Sequence, residues 1–155
     1  MGKKIGIGVG LAILVVFAIA SMVSLWFGPS DEELVKKSIL ASTSAAANGQ
    51  SSEVLDGLSK KFSFGEDVPN RFDISKVIKN SRPKITVLDV NPRIEGDMAT
   101  VVSDVFVEGD FMGMQLNNTF ESVTITLKKE TGFEGLLPKK KWRISRVDAQ
   151  DLPTY

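Results

Sequence analysis

The acidic side chain with the strongest case for catalytic chemistry is Asp104, which lies in an apolar run. Its neighbours include Val101, Val102, Val105 and Phe106. A carboxylate that faces an apolar pocket has a raised pKa because burial disfavours its charged form, and such a group can act as a general base. Alternation along a strand does not identify which face is buried. We favour the alternative in which Asp104 faces solvent or pairs with a basic residue on a neighbouring strand.

The rest of the composition removes most other catalytic chemistry. The chain has 155 residues and neither cysteine nor histidine, so it has no thiol nucleophile, no serine–histidine–aspartate triad and no histidine-containing zinc site. The sequence contains no phosphate-binding glycine loop and no metal-ligand cluster, so we expect neither a cofactor nor a metal. The 19 basic and 19 acidic residues balance, which provides no electrostatic case for nucleic acid binding.

Two stretches between predicted strands carry large apolar side chains and are candidates for contact with a ligand or a partner protein. They are a turn region with Phe111, Met112 and Met114, and an irregular insertion over residues 132–138 with Phe133, Leu136 and Leu137. Loops rarely expose such side chains without a binding role. The alternatives are that the turn folds back over the domain or continues the strand pairing, and that the insertion covers a sheet edge.

A basic run, Lys139–Lys141, follows the second stretch and lies near Arg143. Such a run is suited to anionic lipid headgroups or an acidic partner. We favour the alternative that it is a solvated strand start that protects a sheet edge from aggregation.

The first elements that must position these residues are helices. Ser30 and Glu33 have the spacing of a capping box, which predicts a helix that ends at the Asn-Gly pair after it. A second helix is predicted over residues 51–62, because apolar residues recur there at helical spacing. A third, short helix is predicted over residues 74–79, with Asp73 as its N-cap.

After Pro83, β-branched runs bounded by turn residues predict strands. We predict four strands, over residues 85–90, 98–107, 116–129 and 142–148. Their short connections indicate an antiparallel meander. Three helices followed by such a sheet predict the α+β class, with one domain over residues 30–155.

The N-terminal run over residues 5–27 carries no charge and is long enough to cross a membrane as a helix, which needs about 20 residues. The segment Ala18-Ile19-Ala20 also fits a signal-peptide cleavage site. However, the apolar run continues through Trp26 and Phe27, which are typical of an aromatic anchor at the membrane interface. We therefore favour an uncleaved, single-pass transmembrane helix.

The charges around this run predict its orientation. Lys3 and Lys4 precede it and acidic residues follow it, so residues 1–4 are expected in the cytoplasm and the domain outside the cell membrane. Gly2, Gly6 and Gly10 share one helix stripe, which would allow two copies of the helix to pack as a homodimer.

The order of elements, and an ending with tryptophan, isoleucine and valine at positions 142, 144 and 147, resembles the nuclear-transport-factor-2-like superfamily, especially its membrane-anchored bacterial members. The resemblance covers about residues 30–148. It implies helices folded over a curved sheet to form a cone with an apolar interior. Members include steroid isomerases, dehydratases, ligand-binding or protein-binding domains, and assembly components of secretion systems.

Among these functions, we predict a non-catalytic binding domain whose partner is another protein of the cell envelope. The related enzymes use aspartate–histidine or tyrosine–aspartate pairs, whereas this chain has no histidine and its one tyrosine is Tyr155. Two alternatives stay open. One is a module that binds a small apolar ligand in the cone, and the other is a membrane-tethered isomerase-like or dehydratase-like enzyme that uses Asp104.

Overall fold

The structure, a computed structural model, describes residues 28–150 together with Val15 and Ala18. The chain divides into two compact units, residues 1–30 and residues 31–155. No helix among the described residues is long and apolar enough to cross a membrane. Apart from Val15 and Ala18, the predicted transmembrane helix over residues 5–27 lies outside the described residues. The same applies to its predicted interface and packing residues, Lys3, Lys4, Trp26, Phe27, Gly2, Gly6 and Gly10.

Within residues 31–150 the second unit contains three helices and six strands. The helices are α1 (Asp31–Ala47), α2 (Ser51–Gly57) and α3 (Arg71–Ser81). The strands are β1 (Leu58–Phe64), β2 (Lys84–Val87), β3 (Arg93–Glu95), β4 (Met98–Phe111), β5 (Met114–Glu134) and β6 (Leu137–Asp148). The predicted α+β class is therefore confirmed.

Helix α1 follows its prediction closely. It begins at an acidic first turn, which the positive end of the helix dipole favours. Val35 and Ile39 on its inward stripe are almost fully buried, and smaller residues continue the stripe to Ala46. The helix ends before Gly49, whose φ of +70° suits glycine better than other residues. The small side chains let α1 lie close to the rest of the core.

The predicted second helix is too long, because α2 ends at Gly57 and the chain continues as strand β1. Leu58 and Phe62 were expected on a helix since they are four residues apart. Both instead line the interior from a strand whose register with β6 is interrupted between Leu58 and Ser63. Residues four positions apart share a face in a regular strand as well as in a helix, so this spacing alone does not distinguish the two.

Helix α3 begins three residues earlier than predicted, and its N-cap is Asn70 rather than Asp73. The Asn70 side chain accepts a hydrogen bond from the backbone N–H of Phe72 at 2.9 Å, which satisfies one of the free donors in the first turn. At the other end, Arg82 adopts a left-handed conformation and its N–H donates to the carbonyl of Ile78.

The strands form one sheet in the order β1-β6-β5-β4-β2, and β3 also pairs with β4. The predicted sheet is wrong in two respects. It has six strands rather than four, and it is mixed rather than antiparallel, because β1 runs parallel to β6. The meander of β4, β5 and β6 is antiparallel as predicted. Strand β3 has three residues, too few to show a period in the sequence.

The start of α1 is attached to the sheet through Asp31. Its carboxylate accepts hydrogen bonds from Lys129 Nζ at 2.8 Å and from the Trp142 indole Nε1 at 3.0 Å. These two donors, led by Lys129, hold the pKa of Asp31 below its usual range. Lys129 also lies over the Trp142 ring, with Nζ 5.1 Å from its centroid. Together, Asp31, Lys129 and Trp142 join α1, β5 and β6.

The lowered pKa of Asp31 makes this attachment sensitive to acid. Its ionised form stabilises the fold above the ordinary pKa of about 4, and that contribution is lost as the pH falls through the lower pKa of the folded state. Asp31→Asn should therefore destabilise the domain at pH 7, by at most about 1 kcal/mol because the carboxylate is partly exposed. The difference from the wild type should shrink towards pH 3, as measured by urea unfolding. A difference that is constant from pH 7 to pH 3 would contradict this assignment.

Candidate functional site

The main candidate site is a cavity of about 260 Å³ between the helices and the concave face of the sheet. Aliphatic and aromatic side chains dominate its lining. From the helices and β1 these are Ile39, Ala46, Val54, Leu58, Phe62, Phe64 and Ile78, and from β2, β4, β5, β6 and the residue after it they are Ile85, Val87, Val105, Val107, Phe120, Val123, Ile125, Ile144, Val147 and Ala149. Such a lining disfavours a charged ligand and favours an apolar one.

The lining has two hydroxyl groups and no ionisable side chain among the residues that the structure describes. The hydroxyls belong to Ser42 and Thr43 on α1. The Thr43 hydroxyl donates to the carbonyl of Leu40 at 3.1 Å, as helical threonines often do towards the preceding turn. The cavity therefore offers few polar groups that would orient a ligand.

Irregularities in the strands decide which residues reach this cavity. Between β4 and β5, Asp104 lies opposite two residues, Glu121 and Ser122, in a β-bulge. Since side chains alternate along a strand, the extra residue changes the phase of β5. Phe120 consequently lines the cavity, while Glu121 is exposed to solvent.

The structure places Asp104 on the outer face of the sheet, as favoured from the sequence, so the alternative in which its carboxylate lies in the pocket is wrong. Inward positions on β4 are the odd-numbered ones, including Val105, and Asp104 is exposed. Its carboxylate accepts a hydrogen bond from the backbone N–H of Ser122 at 2.9 Å. Ser122 has a φ of +52°, unusual for a residue other than glycine. Asp104 therefore supports the bulge.

No protein-family model matches the sequence, and no curated protein does. Solved structures do match. A nuclear-transport-factor-2-like protein from Cytophaga hutchinsonii has a TM-score of 0.63 at 15% identity, over 79% of this chain and 99% of its own. The chain has the nuclear-transport-factor-2-like fold.

Two further structures show how varied proteins of this fold are. A candidate ketosteroid isomerase from Shewanella frigidimarina has a TM-score of 0.53 at 16% identity, over 76% of this chain and 94% of its own. The CaMKII hub of S. rosetta has a TM-score of 0.56 at 16% identity, over 79% of this chain and 96% of its own. At such identities the likeness concerns the fold alone.

In this nuclear-transport-factor-2-like domain, the first predicted contact stretch forms the end of the β4–β5 hairpin. Strand pairing continues up to Phe111 and Met114, as one of the alternatives predicted. Met112 is 99% exposed and Met114 is also largely exposed. Phe111 is partly buried and lies beside Gly109, where a Cβ atom would come within 3.2 Å of its ring. The exposed part of this hairpin end therefore consists mainly of the two methionines.

The second predicted contact stretch forms the end of the β5–β6 hairpin rather than an irregular insertion. Pairing continues to Glu134 and Leu137, and Gly135, with a φ of +66°, allows the turn. Strand pairing uses backbone hydrogen bonds, which do not require particular side chains. The glycines and lysines of this segment therefore gave no strand pattern in the sequence, although the segment is paired. Phe133, Leu136 and Leu137 are all strongly exposed. The two hairpin ends lie at opposite ends of β5, so the predicted contact residues form two separate surfaces.

Sequence reasoning missed the residues of the cavity itself. None of the predicted contact residues lines it, whereas Phe62, Phe64 and Val147 do. A usable signal was present in β1, where apolar residues at 62 and 64 alternate with polar ones. It was overlooked because the residues up to Phe62 were assigned to the second predicted helix.

Proposed function

We propose that this domain is a non-catalytic binding module that holds a small, uncharged, apolar molecule in its cavity. The observation that carries the proposal is the lining, in which apolar side chains surround about 260 Å³ and two hydroxyls are the polar side chains among the described residues. A charged ligand would lose its hydration there without gaining a partner. An apolar ligand would remove both its own surface and the cavity wall from water.

The size of the cavity limits the ligand. Apolar protein cavities of about 150 Å³ bind benzene, so one of 260 Å³ suits a somewhat larger ring system or a short aliphatic chain. The position of Asp104 on the outer face removes the observation that motivated an enzyme, and we do not propose catalysis by that residue.

A binding assay with cavity-filling variants tests this proposal. We expect the uncharged fluorophore N-phenyl-1-naphthylamine to bind the fragment of residues 31–155, which contains all of the buried core. Val105→Phe places a larger side chain in the cavity and should weaken binding roughly tenfold or more. The matched control is Val102→Phe on the same strand, because Val102 is 59% exposed on the opposite face. Fluorescence titration measures both.

Equal binding by the Val105→Phe and Val102→Phe variants would overturn the cavity as the binding site. If Val105→Phe does not fold, Ala46→Val replaces it in the assay, because it adds less volume to the cavity, at a lining position on α1. Circular dichroism verifies the fold of each variant before the titration.

We further propose that residues 5–27 anchor this module in the cell membrane with the domain outside, as their apolar length and flanking charges predict.

A second candidate function is contact with an envelope protein through the β4–β5 hairpin end. It is favoured by the exposure of Met112 and Met114, since methionine side chains adapt to varied partners. A photo-crosslinker at position 112 in intact membranes tests it, and reproducible absence of any crosslinked protein would contradict it.

A further inference from the structure

The first half of strand β6 has an edge that no other strand covers. Strand β5 pairs with β6 from Leu137 to Asp148, whereas β1, on the other side of β6, pairs with it only from Ile144 onwards. Among the described residues, no backbone group pairs with the side of residues 137–141 that faces away from β5. An open edge of this kind is a template on which a further strand can pair.

Two observations show which backbone groups point to this open edge. Lys129 lies opposite Trp142 and donates its backbone N–H to the Asp97 carbonyl at 2.8 Å, on the side away from β6. The Trp142 carbonyl accepts a hydrogen bond from the Ser38 hydroxyl at 2.9 Å, so the backbone of Trp142 also points away from β5. Backbone direction repeats every second residue in a regular antiparallel pair. The N–H and the carbonyl of Lys140 therefore point to the open edge.

A cleft of about 500 Å³ lies along this edge, between β6 and the exposed side of α1. Leu34 and Ala41 line it from α1, and Phe133 lines it from β5. Ser38 and Trp142, which are joined by the hydrogen bond above, also line the cleft. The open edge is thus accompanied by apolar surface that side chains of an added strand could contact.

The cleft is strongly basic. Its charged lining consists of five basic side chains and one carboxylate, namely Lys37, Lys139, Lys140, Lys141, Arg143 and Asp56. Asp56 accepts hydrogen bonds from Lys141 and from Arg143 Nη2, the latter at 3.4 Å. Lys37 and Lys140 are exposed and form no ion pair with any described residue. The cleft therefore holds one carboxylate of its own chain and has positive charge left for others.

We propose that the open edge of β6 binds an extended, acidic segment of a partner protein, which pairs with the backbone of Lys140 and places carboxylates beside Lys37 and Lys140. Backbone pairing supplies affinity, and the lysines select acidic sequences. A small anion would meet the lysines but would use neither the backbone edge nor the apolar residues. Charge disfavours a second copy of the chain, because pairing of two β6 edges would bring the same lysines together. The proposal rests neither on the apolar cavity nor on the membrane anchor.

A designed peptide tests this proposal. The probe is a short fluorescein-labelled peptide in which glutamate alternates with valine and threonine. It is titrated with the full chain in an uncharged detergent at low ionic strength, and fluorescence anisotropy measures binding. We expect it to bind at least about tenfold more tightly than the same peptide with lysine in place of glutamate. Equal affinity for the two peptides, or no binding of the acidic one, would overturn the proposal.

Two changes separate strand pairing from charge. N-methylation of every backbone nitrogen of the peptide keeps its carboxylates but removes its donors, and should weaken binding about tenfold. Lys140→Pro removes the N–H at the edge together with the charge, and Pro138 already occupies the equivalent position two residues earlier. It should weaken binding about tenfold, against about threefold for Lys140→Gln. Unchanged binding of the methylated peptide would overturn strand pairing even if Lys140→Pro does not fold.

Asp56→Asn examines the electrostatic part through an expected gain. It releases Lys141 and Arg143 from their carboxylate, while the backbone carbonyl at position 56 still accepts from Arg143 Nε at 3.0 Å. Affinity for the acidic peptide should rise about threefold. The matched control for Lys140→Gln is Lys76→Gln, which removes the same charge at an exposed position of α3 outside the cleft. Equal losses for these two lysine variants, or weaker binding by Asp56→Asn, would contradict the proposal.

Hydrogen exchange at the Lys140 amide distinguishes other occupants of the edge. Slower exchange in the presence of the acidic peptide supports the proposal. Protection by vesicles that contain phosphatidylglycerol, without protection by the peptide, would overturn it in favour of a lipid surface. Protection that rises with protein concentration and excludes the peptide would overturn it in favour of a second copy of the chain.

Discussion

Replacing Trp142 with alanine is expected to lower the free energy of unfolding by about 3–5 kcal/mol, because it removes a large buried aromatic side chain and leaves a cavity. Trp142 is only 2% exposed. Its indole N–H donates to Asp31, and Lys129 lies over its ring. The substitution would therefore also loosen the attachment of α1. Urea unfolding of the 31–155 fragment, followed by circular dichroism, measures the loss.

Trp142→Phe separates packing from hydrogen bonding. It keeps an aromatic ring but removes the N–H donor to Asp31, so we expect a loss of about 1–2 kcal/mol, clearly less than for alanine. The backbone carbonyl of residue 142 can still accept from the Ser38 hydroxyl, a bond of 2.9 Å, in both variants. A Trp142→Ala variant within 1 kcal/mol of the wild type would show that this residue does not support the core as proposed.

Replacing Leu127 with alanine is expected to cost about 2–5 kcal/mol. Leu127 is 0% exposed and lies between Ala99 on β4 and Ile144 on β6. Ala99 is too small to fill the space that the leucine side chain would leave. The central strands therefore cannot repack around the substitution without moving their backbones.

Leu136→Ala is the matched control for this prediction, because the same change occurs in the turn that follows the same strand, at a residue that is 98% exposed. Its effect on unfolding should be within about 0.5 kcal/mol. Equal destabilisation by the two alanine variants would mean that the hairpin end is buried in solution.

The pattern of tryptophan, isoleucine and valine near the end of the chain shows how much structural information a sequence pattern contains. Trp142 and Ile144 are two residues apart, as expected for one face of a strand, but Val147 follows after three. In the structure, a register shift opposite Thr126 and Leu127 accommodates the additional residue, and Val147 reaches the cavity. The pattern indicated the resemblance to the fold, whereas the reason for its spacing required the paired strand.

Strand β1 shows the opposite case, in which local pattern was misleading. Leu58 and Phe62 were assigned to a helix from their spacing, but they line the cavity from a strand. β1 is an edge strand held by parallel pairing with residues more than 80 positions later, such as Leu58 with Ile144. No local pattern contains that information, since parallel pairing joins distant segments and overrides local propensity.

By itself, the sequence determined the α+β class, α1, and the meander of β4, β5 and β6, because each has apolar residues at a clear period over many positions. It also identified the large apolar side chains of both hairpin ends, which are stabilised when another surface covers them. Only the tertiary structure decided which face of each strand is covered. Side chains alternate between the two faces of a strand, and this alternation alone does not show which face packs against the core. It therefore could not assign either Asp104 or Val105 to the interior. The packing of the sheet placed Val105 in the cavity and Asp104 in solvent, and it formed the apolar cavity on which the proposed ligand binding rests.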